Sequence, residues 1–390
     1  MLITDYSILA SLLCFNVFII MINLFRNNDN FIRIFGVRFI LVLAAACVFR
    51  LVFAVEFPFT IVIRSERLLV AVTNVMKISF NVYGYSISVY NCVAGAAVVS
   101  VALGIILFFI QLTKYIALVN RIYRLETDAS DEIIAVYNNL LSELSVKKPP
   151  AIIQNKGILT PCTTGLFNSV ILLPDCNYTE LELYYILKHE LIHYINRDVL
   201  IKLIFSFITC LLWWNPLVYL LRNEIGQILE IKCDLAVCEE LSKEKRLSYI
   251  ETMVQVLKKS AYDKYTCSYY TSAMAFDGRE KMQQRFKMVM NRPVEHHSVA
   301  FNVCIYCALA AVMVISYSFL MQGERVPSEE DFADCINEPD VIVYTPENSE
   351  IYYQDGAYRI YTNGEYMWEF GEEVLEDFKS QGFNIHYEDN

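Results

Sequence analysis

The stretch that decides the fold is ELELYYILKHELIHYIN, residues 180–196. Thr179 and Glu182 have the spacing of a capping box, which predicts a helix that begins after Thr179. Within this helix His189 and His193 are four residues apart, so they share one face with their Cβ atoms about 5–6 Å apart. Both imidazoles can therefore reach a single metal ion.

The pattern HELIH (189–193) is typical of a Zn²⁺ site built on a helix. Glu190, beside the first histidine, can reach water at the metal and act as the general base. The alternative is a pair of helix-surface histidines that flank a glutamate by coincidence. The chain contains only five histidines, so the use of two of them at this spacing favours the metal site.

A catalytic zinc ion needs a third protein ligand. Glu230, in the run EIKCD (230–234), is the predicted ligand. Asp234, one helical turn later, is predicted to hold a ligand imidazole from behind. Glu224 is the rival candidate by position. Considered by itself, Glu230 could equally be a solvated carboxylate on a helix.

The apolar content of the chain points to a membrane protein. Of the 390 residues, 55% are hydrophobic. Four stretches are long and apolar enough to cross a bilayer, namely 7–25, 36–55, 91–112 and 299–320. The first has neither the basic start nor the cleavage pattern of a signal peptide, so it is predicted to be a retained span.

The distribution of charge predicts the orientation. Basic residues lie just after the third span and just before the fourth: Lys114, Arg121, Arg124, Lys281, Arg285, Lys287 and Arg292. By the positive-inside rule the segment 113–298 is expected in the cytoplasm. Residues 322–390 contain 18 acidic and 3 basic residues, and they are expected outside.

Residues 199–221 are apolar enough for a fifth span, but a crossing there would separate Glu230 from His193. Asn215 and Pro216 have the identities preferred at the N-cap and first position of a new helix. The two arms that meet there would be about 25 Å and about 21 Å long at 1.5 Å per residue. Residues 199–229 are therefore predicted to form a helical hairpin that dips into, or lies along, the inner leaflet.

The remaining segments show weaker patterns. An amphipathic helix is predicted at 130–146, with Ser130 as its cap, and strands at 151–154 and 170–173. The run 169–173 has two interpretations, an edge strand that pairs with substrate or an interior strand. In the tail, Asp355-Gly356 and Asn363-Gly364 predict hairpin turns. They give a three-strand meander at 350–370, followed by a helix at 372–381 and a strand at 383–387.

The predicted fold class is an α-helical multi-pass membrane protein with a cytoplasmic α+β zincin-type metalloprotease domain and a small extracytoplasmic α+β tail. The domain boundaries are three transmembrane helices in 1–112, the zinc domain in 113–298, a fourth transmembrane helix in 299–321 and an acidic domain in 322–390.

Several motifs together resemble a known family, the BlaR/MecR-type antirepressor metallopeptidases, which are membrane-embedded gluzincins. The motifs are HELIHYINRD (189–198), WWNP (213–216), EIKCDLAV (230–237), PCTTGLFNSVILLP (161–174) and Arg285-Phe286. The resemblance covers roughly 90–320. It implies His189, His193 and Glu230 as zinc ligands, Glu190 as the base and Asp234 as their support.

The resemblance also implies a cytosolic substrate, often a winged-helix repressor whose cleavage derepresses target genes. The tail departs from the family, because it is short and has no Ser-x-x-Lys sequence for acylation by a β-lactam. Three functions are therefore weighed: a sensor-transducer protease, a constitutive quality-control protease, and a non-catalytic receptor with a vestigial site. The expected partners are the lipid bilayer, a cytosolic protein substrate and a second copy in a homodimer; direct nucleic-acid binding is not expected.

Overall fold

The computed structural model describes residues 4–65, 68–83, 85–123, 129–155, 158, 160–166, 168–262, 279–291, 299–323, 345–346, 348–354, 357–380 and 382–387. The chain divides into two compact units, Met1–Gly323 and Glu324–Asn390. Most described residues are helical, and the strands form four small sheets.

The first unit contains, in chain order, α1 (Asp5–Asn27), α2 (Asp29–Val52), β1 (Ile61–Ser65), α3 (Leu68–Lys77), β2 (Ser79–Val82), β3 (Tyr85–Ser88), α4 (Val89–Tyr123), α5 (Asp131–Glu143), β4 (Ala151–Asn155), β5 (Cys162–Thr164), β6 (Val170–Pro174), α6 (Glu180–Ile195), α7 (Asp198–Leu211), α8 (Pro216–Val237), α9 (Lys243–Tyr262), α10 (Arg279–Met290), α11 (Val299–Ser318) and β7 (Phe319–Gly323).

Among the described residues, three helices are long and apolar enough to cross a membrane: α1, α2 and α4 up to Arg121. Helices α1 and α4 contain the first and third predicted spans, and α2 ends at Val52, three residues before the predicted end of the second. The α2 helix contains a break at Gly36, whose φ of 77° lies in the left-handed region, so its continuous apolar run begins where that span was predicted. The fourth predicted span coincides with α11, whose apolar part in the described residues, Val303–Ser318, is shorter than a full crossing. Four crossings therefore remain a prediction.

Strands near the apolar helices join segments that are distant in sequence. The β1 strand, which follows α2, pairs in parallel with β7, which follows α11, in the register Ile61 to Phe319. The end of α2 therefore lies beside the end of α11. Strands β2 and β3 form a hairpin immediately before α4.

The predicted hairpin is present as α7 and α8, which pack on each other. As predicted, Asn215 caps α8 by accepting a hydrogen bond from the backbone N–H of Leu217, and Pro216 occupies the first turn. The Asn215 amide also donates to the side-chain oxygen of Asn16 (2.7 Å). Asn16 lies midway along α1, so a membrane-crossing α1 would place the tip of the hairpin near the middle of the bilayer.

From that tip α8 runs alongside the second half of α1. Near the end of α1 the Arg26 guanidinium donates to the Glu224 carboxylate, with one Nη2–Oε1 distance of 2.8 Å. The pair is buried and also contacts the Gln284 amide on α10. Because α8 returns in the direction from which α7 came, the residues that follow Glu224 approach the start of α7.

The part of the first unit that follows α4 contains a three-stranded sheet in the order β4-β6-β5. Its central strand β6 pairs in parallel with β4 and antiparallel with β5. The edge-strand interpretation of 169–173 is therefore wrong, and β5 is an edge strand instead. The physical reason is that a continuously apolar strand is stable where both faces and both edges are covered, and Ile171 and Leu173 are fully buried.

Helices α5 and α6 cover this sheet through a shared apolar cluster that includes Leu140, Ile171 and Leu187. The α5 helix begins after Ser130 as predicted, but the Ser130 side chain makes no capping hydrogen bond. The helix ends at Glu143, three residues earlier than predicted, and Ser145 then adopts a positive φ of 52°.

The second unit contains β8 (Ser349–Gln354), β9 (Ala357–Thr362), β10 (Glu365–Phe370), α12 (Glu372–Ser380) and β11 (Ile385–Tyr387). Strands β8, β9 and β10 form the predicted antiparallel meander, and β11 adds in parallel to the outer side of β8. The turn at Asn363-Gly364 has positive φ at both residues, as its sequence predicts. The predicted turn at 355–356 lies outside the described residues.

Helix α4 lies close to the backbone of α7 at Gly104. A Cβ atom built on Gly104 would lie 2.5 Å from the carbonyl oxygen of Cys210 in α7. Four residues further along α4, Phe108 meets Phe207 of α7 edge to face, with ring centroids 5.0 Å apart. The missing side chain therefore allows the two backbones to approach each other.

We predict that Gly104→Ala destabilises the first unit by about 1–3 kcal/mol, because the added methyl group forces α4 and α7 apart. Gly95→Ala is the matched control on the same helix, since nothing lies within 4 Å of its added Cβ. That control should be neutral or slightly stabilising, because alanine favours helix over glycine. Unfolding of the purified protein in detergent mixtures, followed by tryptophan fluorescence, measures both; equal midpoints would contradict this packing.

Candidate metal centre

The helix that carries the two histidines begins as its sequence predicts. The Thr179 hydroxyl accepts from the backbone N–H of Glu182 (3.2 Å), and the Glu182 carboxylate accepts from the N–H of Thr179 (2.8 Å). This capping box fixes the register of α6, and the helix continues through His189 and His193 to Ile195.

His189, His193 and Glu230 converge on one point. The Nε2 atoms of the two histidines are 3.0 Å apart. The Glu230 carboxylate from α8 lies 3.5 Å from Nε2 of His189 and 3.6 Å from Nε2 of His193. One ligand atom from each residue lies within 4.8 Å of the others.

This arrangement fits a zinc ion. Two imidazole nitrogens and a carboxylate oxygen are zinc donors of the type found in catalytic sites. Ligands bound tetrahedrally at about 2.0–2.1 Å would lie about 3.3 Å from one another, and the observed separations bracket that value. Without a cation, two ring nitrogens facing each other so closely need a shared proton.

The opposite nitrogen of each ring is held by a carboxylate. Nδ1 of His193 lies 2.7 Å from Asp198. Nδ1 of His189 lies 3.3 Å from Asp234 and 3.0 Å from the Tyr249 hydroxyl. Such contacts orient the rings so that both Nε2 atoms face the common point. Asp234 thus lies where the sequence predicted a supporting carboxylate.

The charge of Asp234, which is fully buried, is balanced locally. Arg285 from α10 donates to both carboxylate oxygens, at 2.6 and 2.9 Å, and the Tyr249 hydroxyl from α9 donates at 2.7 Å. Burial and the neighbouring Asp234 hold the pKa of Tyr249 well above its usual value, so its hydroxyl remains a donor. Removal of Arg285 would leave a buried uncompensated charge.

The ionisation of His193 and Glu230 is coupled. Burial alone would lower the pKa of His193, but the Glu230 carboxylate and the hydrogen bond to Asp198 raise it well above its usual value. Burial alone would raise the pKa of Glu230, but the charges of His193 and Lys202 hold it well below its usual value. Each of these two residues therefore stabilises the charged form of the other.

Glu190 points toward the sheet. Its carboxylate lies 2.8 Å from the Thr163 hydroxyl, which is also 2.9 Å from the Glu190 carbonyl oxygen. Thr163 lies on β5, so the edge strand fixes the position of this carboxylate. Glu190 is 7% exposed, and few waters can therefore reach it at once.

Glu224, the rival for the third ligand position, lies elsewhere. Its carboxylate accepts from Arg26 and from the Asn23 amide. Glu224 and Glu230 are six residues apart, which turns their side chains by about 240° around a helix of 3.6 residues per turn. Only one of the two can face α6, and Glu230 does.

Sequence reasoning missed four neighbours of this cluster, Asp198, Lys202, Cys233 and Tyr249. Asp198 reaches His193 because Arg197 adopts a left-handed φ of 55° and reverses the chain between α6 and α7. No helical spacing signals such a contact. The Cys233 thiol lies 3.3 Å from Asp198, and burial raises its pKa to about 11, so it stays protonated.

Lys202 and Tyr249 gave no signal because their elements meet the site only in the folded chain. The Lys202 ammonium lies 3.4 Å from Glu230. Arg285 had appeared in the sequence analysis only among the basic residues near the fourth span and in the resemblance. It lies 3.5 Å from the other oxygen of the same carboxylate.

Comparison with known proteins identifies relatives that match less than half of this chain. The chain is 26% identical over 162 residues to "Regulatory protein BlaR1" of Bacillus licheniformis, a match that covers 41% of this chain and 26% of the relative. It is 26% identical over 191 residues to "Regulatory protein BlaR1" of Staphylococcus aureus, covering 47% of this chain and 32% of the relative.

A third relative is "Methicillin resistance mecR1 protein" of Staphylococcus aureus, 24% identical over 179 residues, which are 44% of this chain and 30% of the relative. The matches thus span a third or less of each relative's length. Residues 2–289 match the model of a protein family described as "BlaR1 peptidase M56". The resemblance seen in the sequence is confirmed, and the chain belongs to the BlaR1 peptidase M56 family.

Proposed function

We propose that this protein is a membrane-embedded zinc metalloendopeptidase whose metal is held by His189, His193 and Glu230. The observation that carries the proposal is the convergence of two imidazole nitrogens and one carboxylate, with Nε2 atoms 3.0 Å apart and Glu230 within 3.6 Å of both. The membership of the peptidase family supports the same activity.

When bound, a zinc ion would polarise the peptide carbonyl and make water more acidic. Residues of the chain orient the proposed ligands and transfer the proton. Asp198 and Asp234 hold the two rings in place. Glu190 takes the proton from the attacking water, and Thr163 holds that carboxylate in one orientation. Glu190 later delivers the proton to the leaving amine.

We further propose that the protease is a sensor-transducer that cleaves a cytosolic transcriptional repressor of the winged-helix type in response to an external signal. The names of the relatives, a regulatory protein and a methicillin resistance protein, support a role in signalling. Two contacts support a mechanical link between α11 and the proposed metal site. Strand β7, at one end of α11, pairs with β1. Helix α10, which precedes α11 in the chain, carries Arg285, which donates to Asp234 beside the site.

The purified full chain is predicted to bind one zinc ion. Glu230→Gln should lower zinc affinity by about a hundredfold or more. Loss of a residue that only supports a ligand already lowers metal affinity by about 10–100-fold, and loss of a direct ligand should cost more. Zinc content and competition with a chromophoric chelator measure the effect.

The exposed residue Glu240, just beyond α8, provides the matched control, and Glu240→Gln should bind zinc as the original chain does. Glu224→Gln tests the rival and should retain zinc in the folded fraction. Normal affinity in Glu230→Gln together with lost affinity in Glu224→Gln would reverse the assignment.

Glu190→Gln should keep its zinc and lose about 10²–10⁴-fold in proteolytic rate, since an amide cannot accept the proton. Hydrolysis of fluorescent casein by the full chain in detergent measures this rate. Glu180→Gln, an exposed change in the first turn of the same helix, is the control. Near-normal turnover by Glu190→Gln would assign the base to another residue.

We propose the cytoplasm as the location of 113–298 and the outside as the location of the acidic tail. Reporter fusions after residues 128, 242 and 265 should all report the cytoplasm, and a fusion after 390 should report the outside. The fusions after 128 and 242 bracket the hairpin. Opposite signals from these two would mean that the hairpin crosses the membrane and that His193 and Glu230 cannot share a site.

A further inference from the structure

We propose that Lys202 is the group that stabilises the oxyanion formed on the scissile carbonyl during peptide hydrolysis. The inference rests on the proposed function and adds to it a positively charged residue from the membrane hairpin. Neither the HExxH motif nor the returning glutamate supplies such a charge.

The position of Lys202 carries the inference. It lies one turn into α7, four residues after Asp198, and its ammonium is 3.4 Å from the Glu230 carboxylate. The Glu190 carboxylate is also close enough to act on it electrostatically. The ammonium therefore lies beside the proposed third ligand, and the carbonyl of a peptide bound at that metal site would come near it.

The other cations around the cluster are bound differently. Arg285 makes two short hydrogen bonds to Asp234, and its side chain is 10% exposed. Lys202 makes a single long contact to Glu230, and its side chain is 33% exposed. An ammonium has three N–H donors, so Lys202 can donate to a bound substrate while it contacts Glu230. The hydrogen bonds of Arg285 to Asp234 give that residue a structural role.

The chemical step balances without a further reagent. The water oxygen forms a bond to the carbonyl carbon while Glu190 takes a proton from that water. The π electron pair of the carbonyl moves onto its oxygen, which becomes an oxyanion. Collapse restores the C=O bond and breaks the C–N bond, and the amine takes the proton from Glu190. Lys202 keeps its proton throughout and donates a charge-assisted hydrogen bond that strengthens as the oxyanion forms.

The test compares Lys202→Met, Lys202→Arg and Lys287→Met in the zinc-loaded full chain in detergent. Lys287 is the control, because its side chain is 62% exposed and pairs with Asp29, away from the metal cluster. Three quantities are measured: zinc content, hydrolysis of fluorescent casein, and the affinity for a peptide phosphonate whose tetrahedral anion mimics the oxyanion. A peptide hydroxamate of the same sequence binds metal without that anion and serves as the reference ligand.

We expect Lys202→Met to retain zinc and to lose about 10²–10³-fold in kcat with little change in KM, the range seen when one oxyanion donor is removed. Phosphonate affinity should fall in parallel, hydroxamate affinity should change little, and Lys202→Arg should recover part of both losses. Lys287→Met should behave as the original chain does.

The inference is overturned if Lys202→Met binds the phosphonate as tightly as the original chain, or if its rate falls only in proportion to lost zinc. The second outcome would make Lys202 a counter-ion that assists Glu230. If the original chain binds the phosphonate but cleaves no casein, the proposed activity on this probe fails, while the phosphonate comparison still decides the role of Lys202. If it binds neither ligand, both proposals fail.

Discussion

The site depends on one constraint, that the chain must turn back at Asn215, between α7 and α8. Glu230 can approach His193 only if α7 and α8 lie on the same side of that turn. The turn is stabilised twice, because Asn215 caps α8 and also donates to Asn16 at the middle of α1. A buried polar side chain that is satisfied by hydrogen bonds is tolerated in apolar surroundings, whereas an unsatisfied one is costly. The Asn16–Asn215 contact therefore fixes how far the hairpin extends along α1, and that position determines where Glu230 lies.

Helix α8 forms ion pairs with three neighbouring helices, α1, α7 and α10. Glu224 pairs with Arg26 of α1, Lys232 lies 3.7 Å from Asp198 of α7, and Asp234 pairs with Arg285 of α10. The three carboxylates in these pairs are nearly inaccessible to water. Removal of one partner of such a pair destabilises the fold more than replacement of both partners by apolar residues, because the remaining charge stays buried. Each pair therefore specifies which neighbouring helix α8 contacts and how far it is rotated.

The sequence predicted what depends on local spacing and on length. The capping box at Thr179, the facing pair His189 and His193, and the cap at Asn215 are all decided within one or two turns of helix, and all three are present. The central position of β6 could not be read from its apolar run, because an edge strand and a covered strand differ only in their neighbours. Asp198 was missed because its contact with His193 needs the left-handed conformation of Arg197. Lys202 and Tyr249 were missed because α7 and α9 come close to His189, His193 and Glu230 only in the folded chain. The resemblance supplied both Arg285 and Asp234 but not the ion pair between them.

Glu230 and Asp234, one turn apart on α8, differ in how their charge is balanced. Asp234 is fully buried and receives three short hydrogen bonds, two from Arg285 and one from Tyr249, at 2.6 to 2.9 Å. Glu230 has 25% of its side chain exposed, and its contacts with Lys202, Arg285 and the two histidines all lie between 3.4 and 3.6 Å. At those distances the cations attract the carboxylate but form no optimal hydrogen bond with it. The charge of Asp234 is therefore already satisfied by protein groups, whereas that of Glu230 remains available to a divalent cation placed between the two imidazoles.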